Sequence, residues 1–158
     1  MDMTPTQWMI EPLRRYAQFS GRARRAEFWW FILFGLIVAI VASVLDYMLG
    51  TPRTGGASGT GLIGGLVSLG FVIPQTAVTV RRLHDINRTG WWIAAPVAFV
   101  VPMAVLAIGT VAGLGIGFGI AAVLFFVMVI VTLVWNCTRG TDGPNRFGPD
   151  PLATPPTD

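Results

Sequence analysis

At 158 residues, 53% hydrophobic and 12% charged, the chain is one domain with about half the roughly 25% charge of a soluble one. All eleven basic residues are arginine, the formal net charge is +3, and the charges fall in blocks separated by long apolar runs. With one cysteine, Cys137, and one histidine, His84, this excludes an intrachain disulfide, a multi-cysteine zinc site and a soluble globular class.

The chain begins without the early apolar core of a signal peptide. Thr4-Pro5-Thr6-Gln7 has the form of a capping box with proline at the first helical position. Trp8, Met9, Leu13, Tyr16 and Phe19 follow on one helical face with Arg14 and Arg15 off it, so 1–19 reads as an amphipathic segment lying in the membrane interface, bent at Pro12. Ser20 is in place to cap the first span. Arg22, Arg24 and Arg25 flank that span, and Trp29 and Trp30 belong to an interfacial aromatic belt. Residues 28–49 form the first span, with Glu27 at one edge and Asp46 near the other, each either snorkelling or facing the bundle. The glycine-rich loop 50–61 reads as flexible and carries Arg53 alone.

The second span covers 62–80. Ser68, Gln75, Thr79 and Arg82 share one face of it, a polar stripe suited to hydrogen bonds with other helices. Pro74 frees a backbone carbonyl within it. Residues 81–92 then read as a tight polar hairpin holding Arg81, Arg82, His84, Asp85, Asn87, Arg88, Trp91 and Trp92. Arg81 and Asp85 are spaced to pair if the helix continues, Asn87 to Gly90 is turn chemistry, and Thr89 can cap the next helix. Residues 89–138 carry no charge and suit two spans, over 91–108 and 116–135, with Pro96 and Pro102 bending the third and glycines from 109 to 119 marking the turn. The glycine and proline content of 136–151 predicts ordered turns, and 152–158 reads as a disordered tail. The fold expected is an all-α membrane protein: four transmembrane helices over 20–151 with an N-terminal interfacial helix. Ten arginines fall on one side and Arg53 on the other, which puts both termini in the cytoplasm.

Three stretches carry a family resemblance. They are F-S-G-R-A-R-R-A-E-F-W before span one, V-R-R-L-H-D-I-N-R-T-G-W-W between spans two and three, and G-T-D-G-P-N-R-F-G-P-D-P after span four. In this order and spacing they resemble the bacterial inner-membrane proteins of the domain of unknown function 805 family, from about residue 13 to 151. The resemblance implies a small helical domain in the bacterial inner membrane and brings no established activity with it.

One histidine and one cysteine are too few for a typical metal site, and no oxyanion motif accompanies Cys137, so no catalytic residue, metal or cofactor is assigned. Arginine forks and glycine-rich turns suit phosphate, which makes anionic phospholipid the nearer partner and nucleic acid no partner. The candidate contacts are Arg22, Arg25, Arg81, Arg82, Arg88 and Arg146, with Trp91 or Trp92 beneath. Glu27, His84, Asp85, Asn87, Asn145, Gln75 and Thr79 form a candidate polar network, in which Glu27 pairs with Arg81 or Arg82. The leading function is a non-enzymatic module whose arginine face binds anionic headgroups or a membrane partner, a second copy included. The alternatives are an enzyme on a lipid-linked or phosphorylated substrate, with His84, Asp85 or Glu27 as acid or base, and a small transporter lined by Ser68, Gln75 and Thr79.

Overall fold

The computed structural model describes residues 3–54, 59–95, 98 and 115–152. The expected third span and the glycine turn expected after it fall almost wholly outside these residues, as does the tail beyond 152. The described chain is helical: α1 (Pro5–Arg14), α2 (Arg25–Leu49), α3 (Leu62–Asp85), a 3-10 helix (Gly90–Ile93) and α4 (Gly115–Cys137).

The capping box of α1 forms as expected. The Thr4 hydroxyl accepts from the Gln7 N–H, the Gln7 side chain accepts from the Thr4 N–H, and Pro5 takes a position that needs no donor. Ser20 does not cap α2. The chain turns at Gly21 (φ +89°) and runs on extended, Ala23 donates its N–H to the Arg81 carbonyl at 3.0 Å, and α2 starts only at Arg25.

At 25 and 24 residues, α2 and α3 are long and apolar enough to cross a membrane; 25 residues rise about 37 Å against a hydrocarbon core of about 30 Å. Their apolar faces point outward: Leu36, Ile40, Leu66 and Leu69 are more than half exposed among the described residues, the reverse of a core helix in a soluble protein. The packed interior is small. Ala23, Phe28, Phe31 and Val78 are buried, Leu13 of α1 packs on them, and Phe31 stacks on Phe71 with ring centres 5.6 Å apart. Such an aromatic pair contributes about 0.5–1.5 kcal/mol beyond area burial, which matters where lipid is as apolar as the protein.

Two polar groups in these helices are served from a distance. Pro74 has no N–H to give the Gly70 carbonyl one turn back, and the Tyr16 hydroxyl donates to that carbonyl at 2.6 Å. The segment after α1 is thereby fastened to the middle of α3. At the other end of the helices Asp46 is buried rather than snorkelling. Its carboxylate accepts the N–H groups of Ile63 (2.9 Å) and Gly64 (2.7 Å), the first-turn donors of α3, and the Thr51 hydroxyl. A Cβ on Gly61 would overlap that carboxylate, so the loop needs glycine there. The loop expected to be flexible has paired ends: Arg53–Thr54 and Thr60–Gly61 form a two-residue antiparallel ladder.

The expected hairpin is shorter than 81–92, because α3 continues through Asp85. It ends in a Schellman motif: Asn87 is left-handed (φ +57°), its N–H donates to the His84 carbonyl (3.0 Å), and the Arg88 N–H donates to the Leu83 carbonyl (2.9 Å). Thr89 occupies the N-cap of the 3-10 helix without a side-chain capping bond.

Tyr16→Phe is expected to lower stability by about 1–3 kcal/mol, because it leaves the Gly70 carbonyl unpaired. In a Pro74→Ala background residue 74 regains its N–H, and the same change should cost less than half as much. Thermal unfolding in detergent across the four variants measures the coupling; equal costs in both backgrounds would make the Tyr16 bond incidental.

Candidate functional site

The three motif stretches meet at the arginine end of the helices, around Asp85. Its carboxylate lies between two guanidinium groups. Arg22 Nε donates to Oδ1 at 3.0 Å with Nη2 2.9 Å from the same oxygen, and Arg82 Nη1 donates to Oδ2. Both arginines then reach backbone carbonyls of the C-terminal segment. Arg22 donates to Gly143 (2.6 Å) and Thr141 (2.5 Å), and Arg82 donates to Asn136 (3.2 Å) and Thr138. The Asp85 carbonyl in turn accepts from the Thr141 N–H (2.9 Å) and hydroxyl (3.1 Å). Arg22, Arg82 and Asp85 are all buried, and a Cβ on Gly140 would overlap the Asp85 carboxylate. The expected Arg81–Asp85 pair is not made. The side chain three residues back, Arg82, reaches Asp85, and Arg81 turns to Glu27.

That second pair is Arg81 Nη1 to Glu27 Oε1 at 2.7 Å, with both side chains buried. The approach is outside hydrogen-bond geometry, and among the described residues no acceptor meets Arg81 Nε or Nη2. Glu27 thus has the hairpin partner expected of it, held by charge.

His84 and Asn145 hold the turns. His84 Nδ1 lies 3.1 Å from the Gly21 carbonyl, which can only accept, so that nitrogen carries the proton. Its ring stacks on Phe147 with centres 3.9 Å apart. Asn145 Nδ2 donates to the His84 carbonyl (2.9 Å) and the Thr141 hydroxyl (3.0 Å), while its Oδ1 accepts the Phe147 N–H (2.9 Å). The ordered turns predicted for this segment form. Asp150 accepts N–H bonds from Leu152 (2.8 Å) and Gly143 (2.9 Å), which hold its carboxyl below the usual range.

The arginines expected to share one ligand are dispersed. Arg22, Arg81 and Arg82 are buried, Arg22 and Arg82 bound to carboxylate and carbonyls and Arg81 paired with Glu27. Arg88 lies over the Trp135 ring at 4.8 Å; Arg146 lies over Phe147 at 4.7 Å and donates to the Asn87 carbonyl. Trp92 meets Trp135 edge-on, and Trp91 is 84% exposed. In the polar stripe the Thr79 hydroxyl donates back to the half-buried Gln75's own carbonyl at 2.7 Å, a bond within the helix.

A cavity of about 680 Å³ opens instead between the start of α2 and the C-terminal turns. Arg22, Arg24, Arg25 and Arg139 line it against Asp85 and Asp150. Arg24 donates through Nε (2.7 Å) and Nη2 to the Pro151 carbonyl and lies over the Trp8 ring of α1. Arg25 and Arg139 are exposed and loosely held, by the Cys137 carbonyl at 3.3 Å and by exposed Asp142 at 3.1 Å. No side chain caps α2, and Ala26 of its first turn lines the cavity. Two arginines bound within the protein and two exposed ones thus line the same hollow, four guanidinium groups against two carboxylates.

The sequence profile of the family described as "Protein of unknown function (DUF805)" matches residues 16–149. The chain belongs to this family. Those bounds take in nearly every residue of the Asp85 network. The chain is 36% identical over 148 residues to Inner membrane protein YhaH of Escherichia coli K12, covering 94% of this chain and 98% of that one. It is 34% identical over 148 residues to Inner membrane protein YhaI of the same strain, covering 92% and 95%. No solved structure matches the chain. Arg24, Arg139, Trp8 and Asp150 were not among the candidates read from sequence. Arg24 had a local signal, its place between Arg22 and Arg25 ahead of the first span; Asp150 lies in the C-terminal motif stretch and Trp8 on the apolar face of the interfacial segment.

Glu27→Ala is expected to cost about 3–5 kcal/mol, because it strands a buried guanidinium. Replacing both members, Glu27→Gln with Arg81→Met, should recover most of that loss. Detergent melting curves decide it, and an unchanged melting temperature for Glu27→Ala would place that carboxylate in water.

Proposed function

We propose that this chain is a non-enzymatic inner-membrane module that holds a phosphate-bearing anionic headgroup at its arginine end. The observation that carries the reading is the cavity at the start of α2, where four arginines face two aspartates and two of those arginines are only lightly committed. A cavity already saturated by internal ion pairs would have no donors to offer. A surface serving topology alone would need charge near helix ends and no enclosed space. The names of the two relatives support an inner-membrane location. Ten arginines against one support four spans with both termini in the cytoplasm, which brings the cavity to the leaflet surface.

Lysine keeps the charge of arginine and loses its two-pronged geometry. Arg25→Lys and Arg139→Lys are each expected to weaken retention of anionic phospholipid about tenfold, near the lower value for one charged hydrogen bond. Arg88→Lys, stacked outside the cavity, should change little. Native mass spectrometry at matched salt measures retention, and equal retention in all three would reduce the arginines to topology and structure. Orientation is tested separately, with Pro52→Cys and Gln18→Cys placed singly in a Cys137→Ser background. In intact cells an impermeant thiol reagent should label position 52 and spare 18; the opposite pattern would invert the protein.

A further inference from the structure

The arginine cavity does not end at its polar floor. A second hollow, of about 470 Å³, is lined by Arg25, Ala26, Trp29, Trp30, Leu33 and Cys137, and it shares Arg25 and Ala26 with the first. It follows α2 from Arg25 to Leu33, eight residues or about 12 Å along the axis, away from the charged end and into the apolar length of the helix. Cys137, the last residue of α4, forms the other wall. Arg25 bridges the two walls where the hollows join, donating to the Cys137 carbonyl. Beyond Arg25 the lining holds no charged residue; it is two indoles, an alanine, a leucine and a thiol.

A soluble phosphate compound has a use for the first hollow only. A molecule with phosphate at one end and hydrocarbon at the other fits both in one orientation. We infer that the ligand is a membrane phospholipid, its phosphate held by Arg25 and Arg139 and one acyl chain lying in the groove between α2 and α4 beside Trp29, Leu33 and Cys137. This rests on the headgroup reading above and adds the acyl-chain half of the site. The groove shares Arg25 and Ala26 with the arginine-lined cavity, which separates it from the plain apolar faces of α2 and α3. Arg25 lines both hollows, and an arginine can carry its guanidinium to a phosphate while its aliphatic stem covers apolar surface.

The test compares dioleoyl phosphatidylglycerol with glycerol 3-phosphate on the purified full chain by native mass spectrometry. Leu33→Trp fills the groove from an already exposed position. It should reduce phospholipid retention about tenfold, the equivalent of roughly two lost buried methylenes, and leave glycerol 3-phosphate binding as in wild type. Arg139→Lys should weaken both ligands. In the unmutated protein, which removes any question of folding, added phospholipid should slow maleimide alkylation of Cys137 several-fold while glycerol 3-phosphate does not. If Arg139→Lys weakens phospholipid retention but Leu33→Trp does not, and Cys137 reacts equally fast with and without lipid, the acyl groove is overturned and the headgroup reading stands. If Arg139→Lys leaves retention of both ligands unchanged, the headgroup reading falls and the groove proposal falls with it.

Discussion

The architecture depends on one carboxylate shared by two buried arginines. Asp85 alone would be costly inside the protein, and so would Arg22 or Arg82, since an unpaired buried charge loses its hydration with nothing in return. Together the three remain one positive charge in excess. That excess is spread over four backbone carbonyls, those of Asn136, Thr138, Thr141 and Gly143, all in the segment at and after the end of α4. The electrostatic requirement therefore sets the connectivity. The approach to α2, the end of α3 and the end of α4 must come together, because each brings part of what neutralises or solvates the others. The cavity at the start of α2 is what remains between them.

The same rule operates further along the helices. Where water is absent, each backbone group that loses its helical partner must find another. The Gly70 carbonyl, released by Pro74, takes the Tyr16 hydroxyl; the first-turn N–H groups of α3 take the Asp46 carboxylate. Both partners come from other parts of the chain, so these bonds also place the segment after α1 against α3 and α2 against α3. Lipid-like surroundings offer little net gain from burying apolar surface, and such directional contacts, with the Phe31–Phe71 stack, carry much of the specificity.

Local chemistry was legible in the sequence, and long-range pairing was legible only where physics left one option. The Thr4 capping box and the turn at Asn87 are written in adjacent residues. Glu27 required a cation because a bare carboxylate at that depth is untenable, and Arg81 is that cation. Pro74 announced an orphaned carbonyl, yet nothing local pointed to Tyr16, 54 residues away. The helix of α3 runs past its apolar stretch through Asp85 because Arg81, Arg82 and Asp85 all find opposite charges within the protein, which the charge pattern alone does not reveal. The candidate arginines scatter for a related reason. Eleven identical side chains look alike in sequence, and which are consumed depends on main-chain carbonyls such as those of Thr141, Gly143 and Pro151, which have no residue signature.

The span of the Arg22 contacts has a consequence for how the protein is made. Two of its acceptors lie 119 and 121 residues downstream. Synthesis proceeds from the N-terminus, so this guanidinium leaves the ribosome long before Thr141 and Gly143 exist. Until they do, Arg22 lacks two of the carbonyls that hold it in the finished fold. Closing the Asp85 network therefore waits until residues 141 and 143 have been made. A chain released short of residue 141 would lack both of these acceptors, so a loss downstream of α4 would leave a charge under-compensated just before α2.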